Sequence, residues 1–266
     1  MKKLPIYQVD AFTDRLFAGN PAAVVLLDHW PENETMQAIA AENNLAETAF
    51  ILPREKDFII RWFTPVTEVD LCGHATLAAA FILFENNYIG GEKIRFQSVK
   101  SGPLGVTKEN DFYYLDFPTD HLTEVSGAQV ANVENATGTK ILELYKGRTD
   151  YLARVKDEET VRSLIPDLTL VSKLEARGLI VTAEGEKADF VSRFFAPQEG
   201  IDEDDVTGSA HTTLMPFWSK KTGESKFSAL QISKRGGQLA CEIINNRCHI
   251  GGKARLYLEG EISIPE

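Results

Sequence analysis

The sequence predicts an α+β fold of two pseudo-symmetric halves, each a barrel-like β-sheet wrapped around a central buried α-helix. Two observations support this prediction: a segment of the first half recurs in the second, and a glycine opens a helix-compatible run in each copy. The change-over is expected near Phe117–Asp120, where a strand ends in a turn signal. The halves are therefore 1–118 and 119–266, and the last strand could cross back to the first half.

The recurring segment is Asp57–Pro65, which matches Asp189–Pro197 at five of nine positions. An apolar run precedes each copy across a charged turn, at Ala49–Leu52 and Leu179–Val181. Each unit therefore predicts a β-hairpin. Because the order of the matches continues downstream, we interpret them as an internal duplication and not as two unrelated hairpins of similar composition.

The helices flank these hairpins. Glu34–Met36 and Glu159–Val161 each open an amphipathic helical pattern before the hairpin. Ala75–Phe84 follows the first hairpin and is apolar on every side, which predicts an enclosed helix. Its counterpart, Ala210–Lys220, contains Pro216, which is expected to kink or shorten it. Further strands are predicted at Ile6–Phe12, Ala22–Leu27, Lys93–Gln97, Phe112–Phe117, Leu230–Ser233, Leu239–Ile244 and Ala254–Leu258.

Composition excludes several classes of protein. The net charge of −11 disfavours nucleic acid, and no apolar run approaches the ~18 residues of a membrane span. The first residues lead directly into a strand-like stretch, so no signal peptide is predicted. Three cysteines without ligand spacing favour a reducing, cytoplasmic setting with neither a disulfide nor a zinc site.

Gly73 and Gly208 open the two matched helices. A helix N-terminus offers unpaired N–H groups and about half a positive charge, and glycine lets a ligand approach the backbone. Two such starts in one shared cleft would bind a small carboxylate-bearing molecule, despite the negative net charge. The alternative is that these glycines merely turn a strand into a buried helix.

Acidic and imidazole groups lie beside these helix starts. Glu47 begins the first hairpin strand, where partial desolvation would suit proton transfer, although a surface strand end is the simpler interpretation. His74 follows Gly73 and is expected to stay neutral in the helix dipole and to donate a hydrogen bond. Ser209 holds the matching position. Asp204 and Asp205 precede the second helix, where such acids are also common as helix-dipole partners.

Cys72 raises the possibility of a two-thiol amino-acid racemase. The second half has Val206 and Thr207 at the corresponding place, so one of the two required thiols is missing. Cys72 is therefore interpreted as a small buried side chain. The sequence also contains no GxGxxG, Walker A, HExxH or GxSxG motif.

Together these residues resemble the PhzF-like family, named for a phenazine-biosynthesis isomerase. The matching segments are Gln8–Thr13, Phe17–Val24, Met36–Leu45, Glu47–Phe50, Arg61–Pro65, Glu68–Thr76 and Asp202–His211. The resemblance implies the diaminopimelate-epimerase-like fold, a homodimer, and no need for a metal or an organic cofactor. It therefore agrees with the fold class predicted from the repeat.

The resemblance also implies roles for single residues. In the best-understood member, a glutamate moves a proton between carbons of a dihydro-hydroxyanthranilic acid. Carried over, that catalytic glutamate is Glu47, its partner histidine is His74, and the acid of the second half is Asp204. The substrate-binding residues implied are Gly73, Gly208, Ser209 and Asn20. Ala46 and Asp205 replace a common serine and a usual proline, so the substrate stays open.

The leading hypothesis is a cofactor-independent isomerase of a small carboxylate-bearing substrate, with Glu47 as general acid and base. An epimerase or racemase of a small amino acid, and a catalytically silent binding protein, remain alternatives. Glu47 aligns roughly with Ala176 and His74 with Ser209, so the helix starts repeat and the acid–base groups do not. This division favours directional proton transfer over symmetric racemisation.

Overall fold

The computed structural model describes residues 1–265, which form two compact units. Unit 1 comprises Met1–Asp116 and the chain from Gly251 onward, and unit 2 comprises Phe117–Ile250. The strands, in chain order, are β1 (Lys2–Ala11), β2 (Asn20–Leu26), β3 (Glu47–Arg54), β4 (Asp57–Phe63), β5 (Glu68–Val69), β6 (Lys93–Ser98), β7 (Gly102–Glu109), β8 (Phe112–Pro118), β9 (Thr123–Val125), β10 (Glu143–Lys146), β11 (Tyr151–Arg154), β12 (Leu179–Glu184), β13 (Phe190–Ala196), β14 (Ile201–Asp204), β15 (Lys226–Gln231), β16 (Gly237–Ile244), β17 (Arg247–Gly252) and β18 (Ala254–Ile264). The helices are α1 (Asn33–Asn43), α2 (Gly73–Glu85), α3 (Ala128–Thr137), α4 (Glu158–Ser163), α5 (Leu168–Val171) and α6 (Gly208–Thr222).

Both units use the same order of strand pairing. In unit 1 the order is β18–β1–β2–β3–β4–β6–β7–β8, with parallel pairing at β2–β3 and β4–β6. In unit 2 the order is β9–β10–β11–β12–β13–β15–β16, with parallel pairing at β11–β12 and β13–β15. The two parallel strand pairs stand at equivalent positions in the two orders. The duplication seen in the sequence is therefore also a duplication of the strand pairing.

The first hairpin shows how the sequence specifies this ladder. β3 and β4 pair in antiparallel register, and their two-residue turn contains Glu55 in the left-handed region at φ 49°. The buried positions of β3 include Phe50 and Ile51, whereas Arg54 at its end is exposed. The apolar run and the charged turn that follows it predicted a β-hairpin here, as observed.

A repeated ion pair explains part of the sequence match. Arg61 on β4 donates to both carboxylate oxygens of Glu68 on β5, at 2.7 and 2.9 Å, and its guanidinium lies over the ring of Phe63. Arg193 and Glu203 repeat the pair in unit 2 at 2.6 and 2.8 Å. A planar guanidinium suits this bidentate geometry, and the pair fixes the short strand that leads to each glycine-led helix.

The helix α2 is the buried helix of unit 1. All its residues from His74 to Phe84 are buried except Phe81, and it packs against β1, β2, β3 and β18. An all-apolar helix of this kind is stable only when it is enclosed on every side. The prediction of an enclosed helix is therefore confirmed. None of the helices in residues 1–265 is long and apolar enough to cross a membrane.

The helix α6 corrects the prediction that Pro216 shortens the second helix. It runs uninterrupted for 15 residues, whereas α2 has 13. Proline has no N–H group and therefore leaves the carbonyl four residues earlier without its helical donor. Here that carbonyl, on Thr212, accepts a hydrogen bond from the backbone N–H of Asp120 at 3.0 Å. The lost hydrogen bond is thus replaced from outside the helix.

Some elements differ from the sequence predictions. The strand expected at Leu230–Ser233 is β15, which begins four residues earlier and ends at Gln231. Its inward residues alternate, with Phe227 and Ala229 buried, and only one of them is a large apolar residue. Ser233 instead forms a turn, in which its Oγ accepts from the N–H of Gly236. The helices α3 and α5 and the strands β5, β7, β9, β10, β11, β14 and β17 were not predicted.

Candidate functional site

Glu47 is placed at the start of β3 by the end of α1. Asn44 adopts the left-handed conformation at φ 49°, which ends the helix and turns the chain toward the strand. The side chain of Asn43 donates to Thr48 Oγ1 at 3.0 Å and thereby ties the helix end to the strand. β3 pairs in parallel with β2, where Ala22 is the partner of Glu47. Glu47 is thus held on a rigid element, with 12% of its side chain exposed.

His74 and Cys72 meet Glu47 at the start of α2. The Nε2 atom of His74 lies 3.1 Å from Oε2 of Glu47, and its Nδ1 atom lies 3.5 Å from the Sγ atom of Cys72. All three side chains are largely buried. Glu47 Oε2 is close to the imidazole, yet it has no well-aligned hydrogen-bond donor among the described residues. The structure therefore brings the predicted pair of Glu47 and His74 together.

The local electrostatics differ from the prediction of a neutral His74. Burial alone lowers the pKa of His74, but the adjacent Cys72 and Glu47 outweigh it, so that the pKa lies well above its usual value. Burial raises the pKa of the Cys72 thiol to about 11, so this thiol is uncharged near neutral pH. The Glu47 carboxylate is therefore the group that favours the imidazolium. A neighbouring carboxylate thus outweighs both burial and the helix dipole.

The start of α6 carries the predicted residues of unit 2. Thr207 is the N-cap residue, and its Oγ1 donates to Oδ2 of Asp204 at 2.6 Å. Gln231 joins the same network, since its Oε1 accepts from the N–H of Thr207 and its Nε2 donates to the carbonyl of Asp204, both at 2.8 Å. This network ties Asp204 to Thr207, the residue that precedes Gly208 at the start of α6.

Two other predicted features are placed as follows. Asn20 is the first residue of β2 and is buried. Because alternate residues of a strand share a face, it lies on the same face as Ala22, the ladder partner of Glu47. Asp205, which replaces the usual proline, adds a negative charge, and its Oδ2 lies 3.5 Å from Nε of Arg235. This cation reduces the effect of the extra acid.

The sequence as a whole matches the family model described as "Phenazine biosynthesis-like protein" over residues 9–260. The chain belongs to this family. A Pseudomonas aeruginosa relative named as an isomerase is 45% identical over 262 residues, which cover 98% of this chain and all of the relative. The crystal structure of a PhzF family protein from Enterococcus faecalis has 48% identity and a TM-score of 0.95, covering 99% of this chain and all of the other.

The wider fold is that of epimerases. A hydroxyproline epimerase from Agrobacterium vitis superimposes with a TM-score of 0.59 at 11% identity, covering 98% of this chain and 92% of the other. At that identity the likeness establishes the fold alone. The predicted fold class and family resemblance are both confirmed.

The sequence analysis did not identify Arg177 of unit 2 as a residue next to the candidate site. Arg177 donates to both carboxylate oxygens of the buried Asp150, at 2.9 and 2.6 Å, and its Nη2 also donates to Ser209 Oγ at 3.2 Å. Its guanidinium lies over the ring of Phe194. Because Ser209 Oγ accepts from a cation, its own hydroxyl hydrogen is free to donate to a ligand. Arg177 and Asp150 are 27 residues apart in the sequence and belong to no recognisable motif, so their contact could not be predicted from the sequence.

Proposed function

We propose that this protein is a cofactor-independent isomerase that moves a proton between carbons of a small carboxylate-bearing substrate, with Glu47 as general acid and base. The observation that supports it best is the buried pair of Glu47 and His74, whose nearest atoms are 3.1 Å apart. A buried acid beside a titratable imidazole is a typical arrangement for proton transfer. Membership of a family with relatives named as isomerases supports the same class of reaction.

In the proposed reaction, Glu47 starts as a carboxylate and His74 as an imidazolium. Glu47 Oε2, which lacks an aligned donor, removes a proton from a carbon that conjugation in the substrate has made acidic. The electron pair of the broken C–H bond spreads over the conjugated system, and Glu47 then returns the proton at another carbon. His74 balances the charge of Glu47 and can donate to a substrate oxygen.

The residues of unit 2 are proposed to bind and orient the substrate. Asp204 coordinates its polar groups, and the hydroxyl of Ser209 donates to its carboxylate because Arg177 already donates to Ser209 Oγ. Gly73 and Gly208 place no side chain over the first N–H groups of α2 and α6, which are proposed to bind the carboxylate, and Asn20 supplies an amide. These roles come from the family resemblance.

A two-thiol epimerase is disfavoured by the same residues. Cys72 is the N-cap residue of α2, but the N-cap residue of α6 is Thr207, whose hydroxyl is occupied by Asp204. A symmetric racemase of this kind needs two equivalent thiols, and the second helix start carries the hydroxyl of Thr207 in place of a thiol. The different chemistry of the two helix starts is therefore better suited to moving a proton than to inverting a centre.

The proposal is tested by proton NMR in D₂O with a dihydro-hydroxyanthranilic acid and a panel of small amino acids. Enzyme-dependent deuterium incorporation together with migration of a double bond is the expected result. Glu47→Gln keeps the size of the side chain but removes the base, so the rate should fall by about 10²–10⁴-fold. Glu42→Gln is the matched control, since Glu42 is exposed on α1 and should be replaceable without effect.

Two outcomes would contradict the proposal. Inversion at one carbon without migration of a double bond would indicate an epimerase. Unchanged turnover in Glu47→Gln would remove Glu47 from the acid–base role. Circular dichroism of both variants shows whether a loss of rate reflects chemistry or unfolding.

A further inference from the structure

The acid–base cluster of unit 1 contains three different metal-binding side chains. One ligand atom from each of Glu47, Cys72 and His74 lies within 4.8 Å of the other two. The Sγ atom of Cys72 lies 3.9 Å from Nε2 of His74, and the same Nε2 lies 3.1 Å from Oε2 of Glu47. Bonds of about 2.0–2.3 Å in a tetrahedral site put ligand atoms roughly 3.3–3.7 Å apart. The two separations that involve Nε2 lie within a few tenths of an ångström of these values, so His74 is close to the geometry it would need to share one ion with Cys72 and Glu47.

We propose that Cys72, His74 and Glu47 form a site for a thiophilic divalent cation of the zinc class, and that binding of this cation inhibits the enzyme. Thiolate and imidazole ligands favour Zn²⁺ over hard cations such as Mg²⁺. Three protein ligands leave the fourth tetrahedral position for water. The inhibition rests on the proposed function, because it follows from coordination of the base Glu47. The binding itself does not depend on that function.

The charge balance of the site supports this binding. A dication, a thiolate and a carboxylate sum to zero, so the occupied site buries no net charge. The Cys72 thiol must first lose its proton, which burial opposes by raising the pKa to about 11. A coordinated metal ion deprotonates a thiol outright, and the proton goes to the solvent with any proton on the imidazole. Binding therefore releases protons and should strengthen as the pH rises.

The backbone around the cluster already fixes two of the ligands. The carbonyl of Cys72 accepts hydrogen bonds from both the N–H and the Oγ1 of Thr76, which anchors the first turn of α2. Cys72 and His74 are therefore held on one turn, and Glu47 is held at the start of β3. Ligands on rigid elements lose little conformational entropy on binding, which favours affinity. The spacing of two residues between Cys72 and His74 gives no zinc motif in the sequence, because Glu47 comes from another element.

Binding is tested with Co²⁺, a spectroscopic substitute for Zn²⁺, added to the full-length protein after dialysis against a chelator. The expected result is one bound Co²⁺ per chain with a near-ultraviolet thiolate-to-cobalt band and tetrahedral visible bands, both displaced by Zn²⁺. Cys72→Ser should abolish the thiolate band. Cys241→Ser and Cys248→Ser are the matched controls, because these cysteines are also buried and form no disulfide. Absence of the band, or its persistence in Cys72→Ser, would overturn the site.

Inhibition is measured separately in the D₂O assay. Zn²⁺ should suppress exchange by at least tenfold, and a chelator should restore it. If cobalt binds with the thiolate band but Zn²⁺ leaves exchange unchanged, the inhibitory role is wrong. If no substrate exchanges at all, the proposed function fails while the cobalt spectrum still decides the metal site. Circular dichroism shows whether Cys72→Ser is folded. If it is not, Cys72→Ala is used in its place.

Discussion

Gly178 occupies in unit 2 the ladder position that Glu47 occupies in unit 1. Thr48 and Leu179 pair with equivalent residues of the repeated segment, and the residues just before them are Glu47 and Gly178. A Cβ atom on Gly178 would lie 2.3 Å from the ring of Phe194, which leaves no room for any side chain. The duplicated fold therefore retains an acid at this position in one unit and excludes it in the other.

We expect Gly178→Ala to destabilise the protein. The added methyl would contact the ring of Phe194 and come within 3.0 Å of the carbonyl of Phe195, both of which are buried. Overpacking of this kind lowers the free energy of unfolding by about 1–3 kcal/mol. Urea denaturation measures the change.

Gly105→Ala is the control for that substitution. Nothing in the described residues lies within 4 Å of a Cβ at Gly105, so this variant should be as stable as the parent or more stable by about 0.5 kcal/mol. If Gly178→Ala behaved like Gly105→Ala, the exclusion of a side chain from unit 2 would need another explanation.

We expect Glu47→Gln to lower the pKa of His74. The ring is buried, which lowers its pKa, whereas the adjacent Cys72 and Glu47 raise it above the usual value. Because the Cys72 thiol is uncharged near neutral pH, Glu47 supplies the negative charge there. Removing that charge leaves burial to dominate. In the parent protein, the stabilisation from this pair is fully present below the unfolded pKa of about 6.5 and is lost as the pH rises through the folded pKa.

An NMR titration of the histidine ring signals, assigned with His74→Asn, measures this shift. The titration midpoint of His74 should move to lower pH in Glu47→Gln. Coincident midpoints in the two proteins would show that the 3.1 Å contact carries no electrostatic coupling.

His211 should make the protein sensitive to acid. It is fully buried, its Nδ1 donates to the carbonyl of Thr207 at 2.9 Å, and its Nε2 has no partner within the described chain. Burial lowers its pKa to about 4. With a depressed folded pKa, stability is retained above about pH 6.5 and is lost as the pH falls toward 4. The loss is roughly 3 kcal/mol, since one pKa unit corresponds to about 1.4 kcal/mol.

His211→Gln tests this, because glutamine can still donate to Thr207 but does not titrate. The free energy of unfolding is measured at pH 7 and pH 4.5 for both proteins. The variant should lose less stability than the parent on acidification, whatever its stability at pH 7. An equal loss in both proteins would assign the acid sensitivity to other groups.

The fold could be predicted because its information is local and repeated. The two hairpins that contain Asp57 and Asp189 each have their own apolar runs and turns. The run Ala75–Phe84 is apolar except for Thr76 and therefore permits only an enclosed helix. The strand β15 was misplaced because its inward positions alternate between Phe227 and Ala229, and a small residue gives a weak signal. The prediction that Pro216 shortens the second helix was wrong because the N–H group that replaces the lost donor belongs to Asp120, which is far away in the sequence.

The site could be predicted only in part. Glu47 and His74 were found through their place next to repeated elements, and they do meet. The alignment of Glu47 with Ala176 is corrected to Gly178, because the register is fixed by ladder hydrogen bonds and not by segment spacing. The charge of His74 was misjudged because the helix dipole is local in sequence, whereas the effect of Glu47 appears only after folding. Arg177 was missed for the same reason.

Arg177 and Asp150 should show strong thermodynamic coupling. Asp150 is 2% exposed, and its carboxylate accepts two hydrogen bonds from the guanidinium. In Arg177→Gln the buried carboxylate loses its cation, which should cost about 1.5–3 kcal/mol of the free energy of unfolding. Adding Asp150→Asn to Arg177→Gln removes the buried charge that has lost its partner. The double variant should therefore be more stable than Arg177→Gln alone. The measurement is a double-mutant cycle in urea.

The same variants separate the structural role of Arg177 from its effect on ligand binding. Anthranilate carries a carboxylate and anthranilamide does not, so calorimetry with both isolates recognition of the anion. Loss of Arg177 should weaken binding of anthranilate at least fivefold and leave anthranilamide unchanged, since Ser209 is no longer held as a donor. Arg162→Gln is the control, because Arg162 pairs with Glu158. If the stabilised double variant bound anthranilate as tightly as the parent, the role of Arg177 would be purely structural.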